Sequence, residues 1–281
     1  MKRITLIRIR TILFVTATLL SGGLTISLAQ SKALFVVAGQ SNAVGQGQAD
    51  SSVRVPAGVA FEYRYQHDTL VPLADPVGEN ALAFQPARTG SAWPAFGERY
   101  HQLTGQQVII IPAARGGSSC HVNAEMADYG TWSADGRKPL LANAVQKINR
   151  AQQHEKQSVS GIIWLQGERD ANAIFDGKLT AQAYEAALIS VIQRFREALG
   201  ATIPFYIVLT GNQIGRAPTG NDVVRMAQLR VARQLTNVSI VYADANQFPA
   251  KRWMKDFVHY NQDALNDIGR TVAERIAATP K

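Results

Sequence analysis

Ala33-Leu34-Phe35-Val36-Val37-Ala38 runs straight into Gly39-Gln40-Ser41-Asn42, six apolar residues followed by a polar turn. A run this short with no polar alternation suits a strand buried on both faces, as in a parallel sheet. Similar runs recur at Val108–Ile111, Gly161–Leu165, Phe205–Leu209 and Val238–Tyr242. Val59–Tyr65 alternates more and reads as an edge strand. Between the runs lie helix-period segments. Tyr184, Leu188, Val191, Ile192, Phe195 and Leu199 share one face, with Gly200 as the stop. Leu141, Ala144, Val145 and Ile148 make a second stripe. Asn221 is placed to cap a third helix carrying Val224, Ala227, Val231 and Leu235. The last helix is expected over Asn261 to Ala277. Strands alternating with helices predict an α/β fold with helices on both faces of a parallel sheet. Ligands then bind beyond the carboxyl ends of the strands. Those ends are expected at Gly39, Pro112, Gln166 and Gly211.

The chain has 281 residues, 46% of them hydrophobic and 18% charged, the composition of a globular protein. Residues 1–29 stand apart. Lys2, Arg3, Arg8 and Arg10 precede an apolar run from Thr11 to Leu20, and Ser27-Leu28-Ala29 offers small residues for cleavage after Ala29. This is the layout of a secretory signal peptide, and it leaves residues 30–281 as one domain. The alternative is an uncleaved anchor, since Thr11 to Ala29 is about long enough to span a bilayer. Its glycines and hydroxyl residues argue against that, so no stable membrane association is expected after cleavage. Lys plus Arg is 29 against 21 Asp plus Glu, a net charge of +8, and without the four basic leader residues 25 against 21, or +4. No basic stripe interleaved with aromatics accompanies this mild charge, so nucleic acid is not an expected partner. Cys120, the single cysteine, cannot form an internal disulfide and reads as a structural thiol.

Four polar clusters carry the possible chemistry. Gly39-Gln40-Ser41-Asn42 can present a hydroxyl on a sharp turn at a strand end, with its backbone N–H facing the same space. Taken alone, it also fits an ordinary turn. Arg115-Gly116-Gly117-Ser118 follows the Val108 run, and paired glycines can aim an N–H at a developing oxyanion. Trp164-Leu165-Gln166-Gly167-Glu168-Arg169-Asp170 crowds an amide and two acids at a strand exit, where a solvated loop is the simpler reading. Asp256-Phe257-Val258-His259 has the spacing for a carboxylate to hold one imidazole nitrogen while the other faces a serine. His67, His101, His121 and His154 make no spaced ligand set with the acids, so no catalytic metal is expected.

In this order, the four clusters resemble the conserved blocks of the SGNH hydrolases. The variant is similar to the branch of sialate O-acetylesterases and acetylxylan esterases, carbohydrate esterase family 6. The resemblance spans essentially all of the chain after residue 29. It implies a three-layer α/β/α sandwich of flavodoxin-like order, needing no cofactor. It also implies Ser41 as nucleophile and His259 as its base. Asp256 is the orienting acid and Glu168 the competing one. The oxyanion hole would comprise the N–H groups of Ser41 and Gly117 with the Gln166 side chain. Gln40, Asn42, Arg115, Gly116 and Arg169 stand where substrate contacts are expected. The expected reaction is removal of O-acetyl groups from xylan, sialic acid or bacterial polysaccharide through an acyl-enzyme, in the periplasm or outside the cell. Other SGNH esterase, lipase or thioesterase activities are the alternative, as is a non-catalytic carbohydrate-binding protein on the same fold.

Overall fold

The computed structural model describes residues 31–279, so the signal-like segment lies outside the described residues. Seven strands form one sheet in the order β3-β2-β4-β1-β5-β6-β7. They are β1 (Lys32–Gly39), β2 (Ala60–Arg64), β3 (Thr69–Pro72), β4 (Gln107–Ala114), β5 (Gly161–Leu165), β6 (Phe205–Val208) and β7 (Val238–Tyr242). The helices are the one-turn α1 (Ser41–Val44), α2 (Trp93–Thr104), α3 (Leu141–Glu155), α4 (Glu168–Phe175), α5 (Ala181–Leu199), α6 (Thr219–Gln234) and α7 (Gln262–Ala277).

The apolar runs are strands covered on both sides, as their lack of alternation requires. Leu34, Val36 and Ala38 of β1 face a core shared with α3, α5 and α6. Ala33, Phe35 and Val37 face a second core shared with α2 and α7. Two helical layers thus enclose the sheet, giving the α/β sandwich that the strand–helix alternation predicts.

Three expectations need correction. Residues 60–64 are not an edge. They pair in parallel with β4 on one side and antiparallel with β3 on the other, so the edge is β3 and the sheet is not wholly parallel. The fourth strand does not stop at Pro112, because Pro112, Ala113 and Ala114 continue the ladder opposite Val37, Ala38 and Gly39. Asn221 does not cap α6. It sits inside the first turn, and its Nδ2 donates 2.7 Å to the Gly211 carbonyl. Asn261 does cap α7, accepting from Ala264 N at 3.1 Å.

β1 is central, with β4 on one side and β5 on the other. The chain leaves β1 toward one edge and β5 toward the other. The crevice at their carboxyl ends is therefore where an open α/β sheet receives a ligand. Gly39 makes their junction possible. Its φ is +138°, and a Cβ there would lie 2.0 Å from the Leu165 carbonyl oxygen.

Candidate active site

Ser41 begins α1 directly after the extended residue Gln40, so strand passes into helix with no intervening loop. Its Oγ lies 3.0 Å from His259 Nε2, across 218 residues of sequence. His259 Nδ1 lies 2.7 Å from Asp256 Oδ2. The other Asp256 oxygen accepts from the backbone N–H groups of Val258 (2.9 Å) and His259 (2.8 Å), so the carboxylate holds its own loop as well as the ring. Partial burial pushes the Asp256 carboxyl upward. The hydrogen bonds from Val258 and His259 outweigh that and leave it below its usual value.

Glu168 begins α4 and is buried beneath Ser41. It does not touch the imidazole. One carboxylate oxygen accepts from Asn42 Nδ2 at 2.7 Å and from the Tyr260 hydroxyl at 3.4 Å. Asn42 also donates to the Val258 carbonyl at 3.3 Å and accepts from Tyr260 N at 3.2 Å. Glu168 therefore bears on the histidine loop through Asn42. Burial raises its pKa, opposed first by the Asn42 hydrogen bond.

Opposite the histidine lies the glycine turn. Gly117 adopts φ +71°, and a Cβ there would come within 2.7 Å of the Tyr129 ring. Its N–H and that of Ser41 have no backbone acceptor among the described residues, which leaves both able to receive an anion. Gln166 is turned inward and only 1% exposed. Its Nε2 donates to Asp170 Oδ2 at 2.5 Å and to the Ser118 carbonyl at 3.3 Å.

The remaining residues expected to touch substrate are engaged mostly with protein. Gln40 Oε1 accepts from the N–H groups of Gly167 (3.3 Å) and Arg169 (3.2 Å) at the start of α4. Arg169 Nε donates to the Ala124 carbonyl at 2.8 Å. Arg115 bridges the carbonyls of Ala83 (3.2 Å) and Asp128 (3.3 Å). Gly116 packs against the Gln85 side chain. Cys120 is fully buried, and burial with Asp170 alongside pushes its thiol well above the usual value, which suits packing and not nucleophilic attack.

Sequence reasoning did not pick out the apolar rim. Phe257 is 64% exposed beside the Asp256–His259 pair, and Ile214, whose N–H donates to the Phe257 carbonyl, is also exposed. Tyr129, 43% exposed, stands over Gly117 with exposed Met126 near it in sequence. Exposed rings next to Ser41 and His259 are the available signal, but no periodicity marks them. A cleft of about 880 Å³ opens among Phe35, Tyr100, Pro204, Tyr206 and Asn237, toward the opposite ends of the strands. It is lined by no acid, base or thiol able to start acyl transfer.

The fold is the α/β sandwich of SGNH-type enzymes. Over residues 31–278 the chain matches the family described as carbohydrate esterase, sialic acid-specific acetylesterase, and it belongs to that family. It is thus a carboxylic ester hydrolase of the carbohydrate acetylesterase kind. The structure is similar to that of an Arabidopsis thaliana protein, with a TM-score of 0.68 and 19% identity over 88% of this chain and 98% of that one. It also resembles a carbohydrate acetylesterase from Xanthomonas citri (TM-score 0.50, 17% identity, covering 86% of this chain and 55% of that one). A third similar structure is a carbohydrate esterase family 2 enzyme with a carbohydrate-binding domain from Corynascus thermopiles (TM-score 0.50, 10% identity, 89% and 66%). Among curated proteins, none matches the sequence.

Proposed function

We propose that the protein removes acetyl groups from carbohydrate by a serine mechanism, with Ser41, His259 and Asp256 as its triad. The observation that carries this reading is the line of contacts from Ser41 Oγ to His259 Nε2 (3.0 Å) and from His259 Nδ1 to Asp256 (2.7 Å). His259 takes the Ser41 proton as Oγ attacks the acetyl carbonyl, then delivers it to the departing sugar hydroxyl. Asp256 keeps the proton on Nδ1, so that Nε2 is the acceptor, and stabilises the imidazolium that forms. The N–H groups of Ser41 and Gly117 receive the oxyanion. The resulting acetyl-Ser41 is cleared by water, activated by the same histidine.

Phe257 and Tyr129 flank this machinery on opposite sides, and exposed rings suit the apolar faces of a pyranose. The leader-like residues 1–29 support export, which would bring the enzyme to extracellular or periplasmic glycans. No helix among the described residues is long and apolar enough to cross a membrane. The test is acetate release from a panel of acetylated xylans, acetylated bacterial polysaccharides and O-acetyl sialosides. Release from at least one glycan, absent with Ser41→Ala, is the expected result. Hydrolysis of long-chain esters with no acetate from any glycan would contradict the reading.

A further inference from the structure

Asp170 is completely buried in the first turn of α4, and the mechanism above gives it no task. It has no salt-bridge partner within 4 Å among the described residues, yet its two oxygens are occupied by three N–H donors. Oδ2 accepts from Cys120 N at 2.8 Å and from Gln166 Nε2 at 2.5 Å, and Oδ1 accepts from His121 N at 2.9 Å. Cys120 and His121 belong to the turn that begins at Gly116-Gly117. The same turn is pinned at Ser118, whose Oγ donates to the Gly39 carbonyl at 3.1 Å, next to the nucleophile's own turn.

We propose that Asp170 is a positioning residue for the oxyanion pocket. Its carboxylate fastens the Gly117 turn to α4 and β5, and so sets the distance between the Gly117 N–H and Ser41. A charged acceptor holds N–H donors about twice as strongly as a neutral one. A glycine pair left to itself would sample many conformations. The position of the Gly117 donor is thus determined by a side chain that never meets the substrate. The inward turn of Gln166 belongs to the same arrangement, its amide serving as the third ligand of Asp170.

This proposal rests on the serine mechanism above, and its test separates the two. Loss of turnover in Ser41→Ala tests the mechanism, whatever Asp170 does. Asp170→Asn keeps the shape but places an amide N–H against one of the backbone donors. Displacing a donor by a fraction of an ångström should lower kcat by roughly tenfold to a hundredfold on a small acetate ester. KM should stay within about twofold, because the pocket serves charge present mainly in the transition state. A variant with wild-type kcat overturns the proposal, and so does one whose KM rises as much as kcat falls.

Should Asp170→Asn fail to fold, the pH profile supplies the answer. Burial pushes the Asp170 carboxyl up to about 6, against the hydrogen bonds from Cys120, His121 and Gln166 and the charge of Arg169. The other titratable groups facing it are His121, Cys120, Tyr184 and, two residues away, Glu168. Below about pH 6, kcat should fall more steeply than a single protonation allows, because Asp170 adds a proton there. That steepness should persist in Glu168→Gln and in His121→Gln. A single-proton limb, or a steep limb lost in either variant, overturns the proposal.

Discussion

The buried acids of this protein fall into two groups that differ in whether a cation joins their hydrogen bonds. At the β2 side of the sheet, Glu62 and Glu79 are matched with cations. Arg64 Nε lies 2.9 Å from Glu62 and Lys147 Nζ 3.4 Å from Glu79. Beneath the site, Glu168 and Asp170 have no cation within ion-pair distance among the described residues and are held by side-chain amides, backbone N–H groups and the Tyr260 hydroxyl. An ion pair tolerates some slippage, because charge attraction is not strongly directional. Hydrogen bonds from three fixed donors do not. The first arrangement ties the β2–β3 hairpin and the Gly78 turn to α3. The second holds Asn42, the histidine loop and the glycine turn where chemistry needs them. Substitutions in the first group should therefore cost stability and spare turnover, and those in the second should cost turnover.

The largest effect should come from the acid that touches the histidine. Asp256→Asn should cost up to roughly ten-thousandfold in kcat, the cost of the wrong imidazole tautomer. Glu168→Gln should cost less, because a glutamine can still accept from Asn42. Measuring kcat for both and for the double variant decides the matter. A nearly silent Asp256→Asn with a collapsed Glu168→Gln would make Glu168 the triad acid. If both are severe and the double is no worse, the two act on His259 as one unit.

On the other side of the comparison, Lys147→Met leaves Glu79 buried without its cation. It should destabilise the fold by ~3 kcal/mol in denaturant melts, with kcat unchanged. Loss of kcat in a fully folded Lys147→Met would break the contrast between the two groups. A smaller effect concerns pH. Burial pushes the Glu62 carboxyl up to about 7, above its ordinary 4.5, although Arg64 and the Gly78 N–H work against the shift. The folded state therefore holds this proton more tightly than the unfolded one. The associated stability is fully present below about pH 4.5 and lost as the pH rises through about 7. Glu62→Gln should flatten the fall in Tm between pH 5 and 8. An unchanged pH profile would mean that Glu62 keeps an ordinary pKa. The smallest effect expected is at the rim. Phe257→Ala should raise KM severalfold for acetylated oligosaccharides while leaving hydrolysis of a small aliphatic acetate alone. Equal KM for both substrates in mutant and wild type would remove Phe257 from the binding surface.

How much of this was legible in the sequence follows from burial. The doubly covered strands announce themselves as apolar runs, and α5 shows its stripe and its Gly200 stop. The strand β3 is four residues long and mostly half-exposed, so it carries no hydrophobic signature. The helix α4 reads as a polar loop, because its first turn buries Glu168 and Asp170, residue types that normally signal solvent. Ser41, His259 and Asp256 stood out as candidates because the chemistry proposed for them fixes residue type and local spacing. The task of Asp170 could not, because its partners at Cys120 and His121 are backbone N–H groups about fifty residues away, and a backbone donor leaves no trace in residue identity.

The central claim, that an acetyl group passes through Ser41 Oγ, is tested most directly by trapping it. Rapid acid quench during turnover of p-nitrophenyl acetate, followed by peptide mass analysis, should find one acetyl group on the peptide carrying Ser41. Ser41→Ala should yield neither that peptide nor product above background. Undiminished turnover by a folded Ser41→Ala would contradict the account.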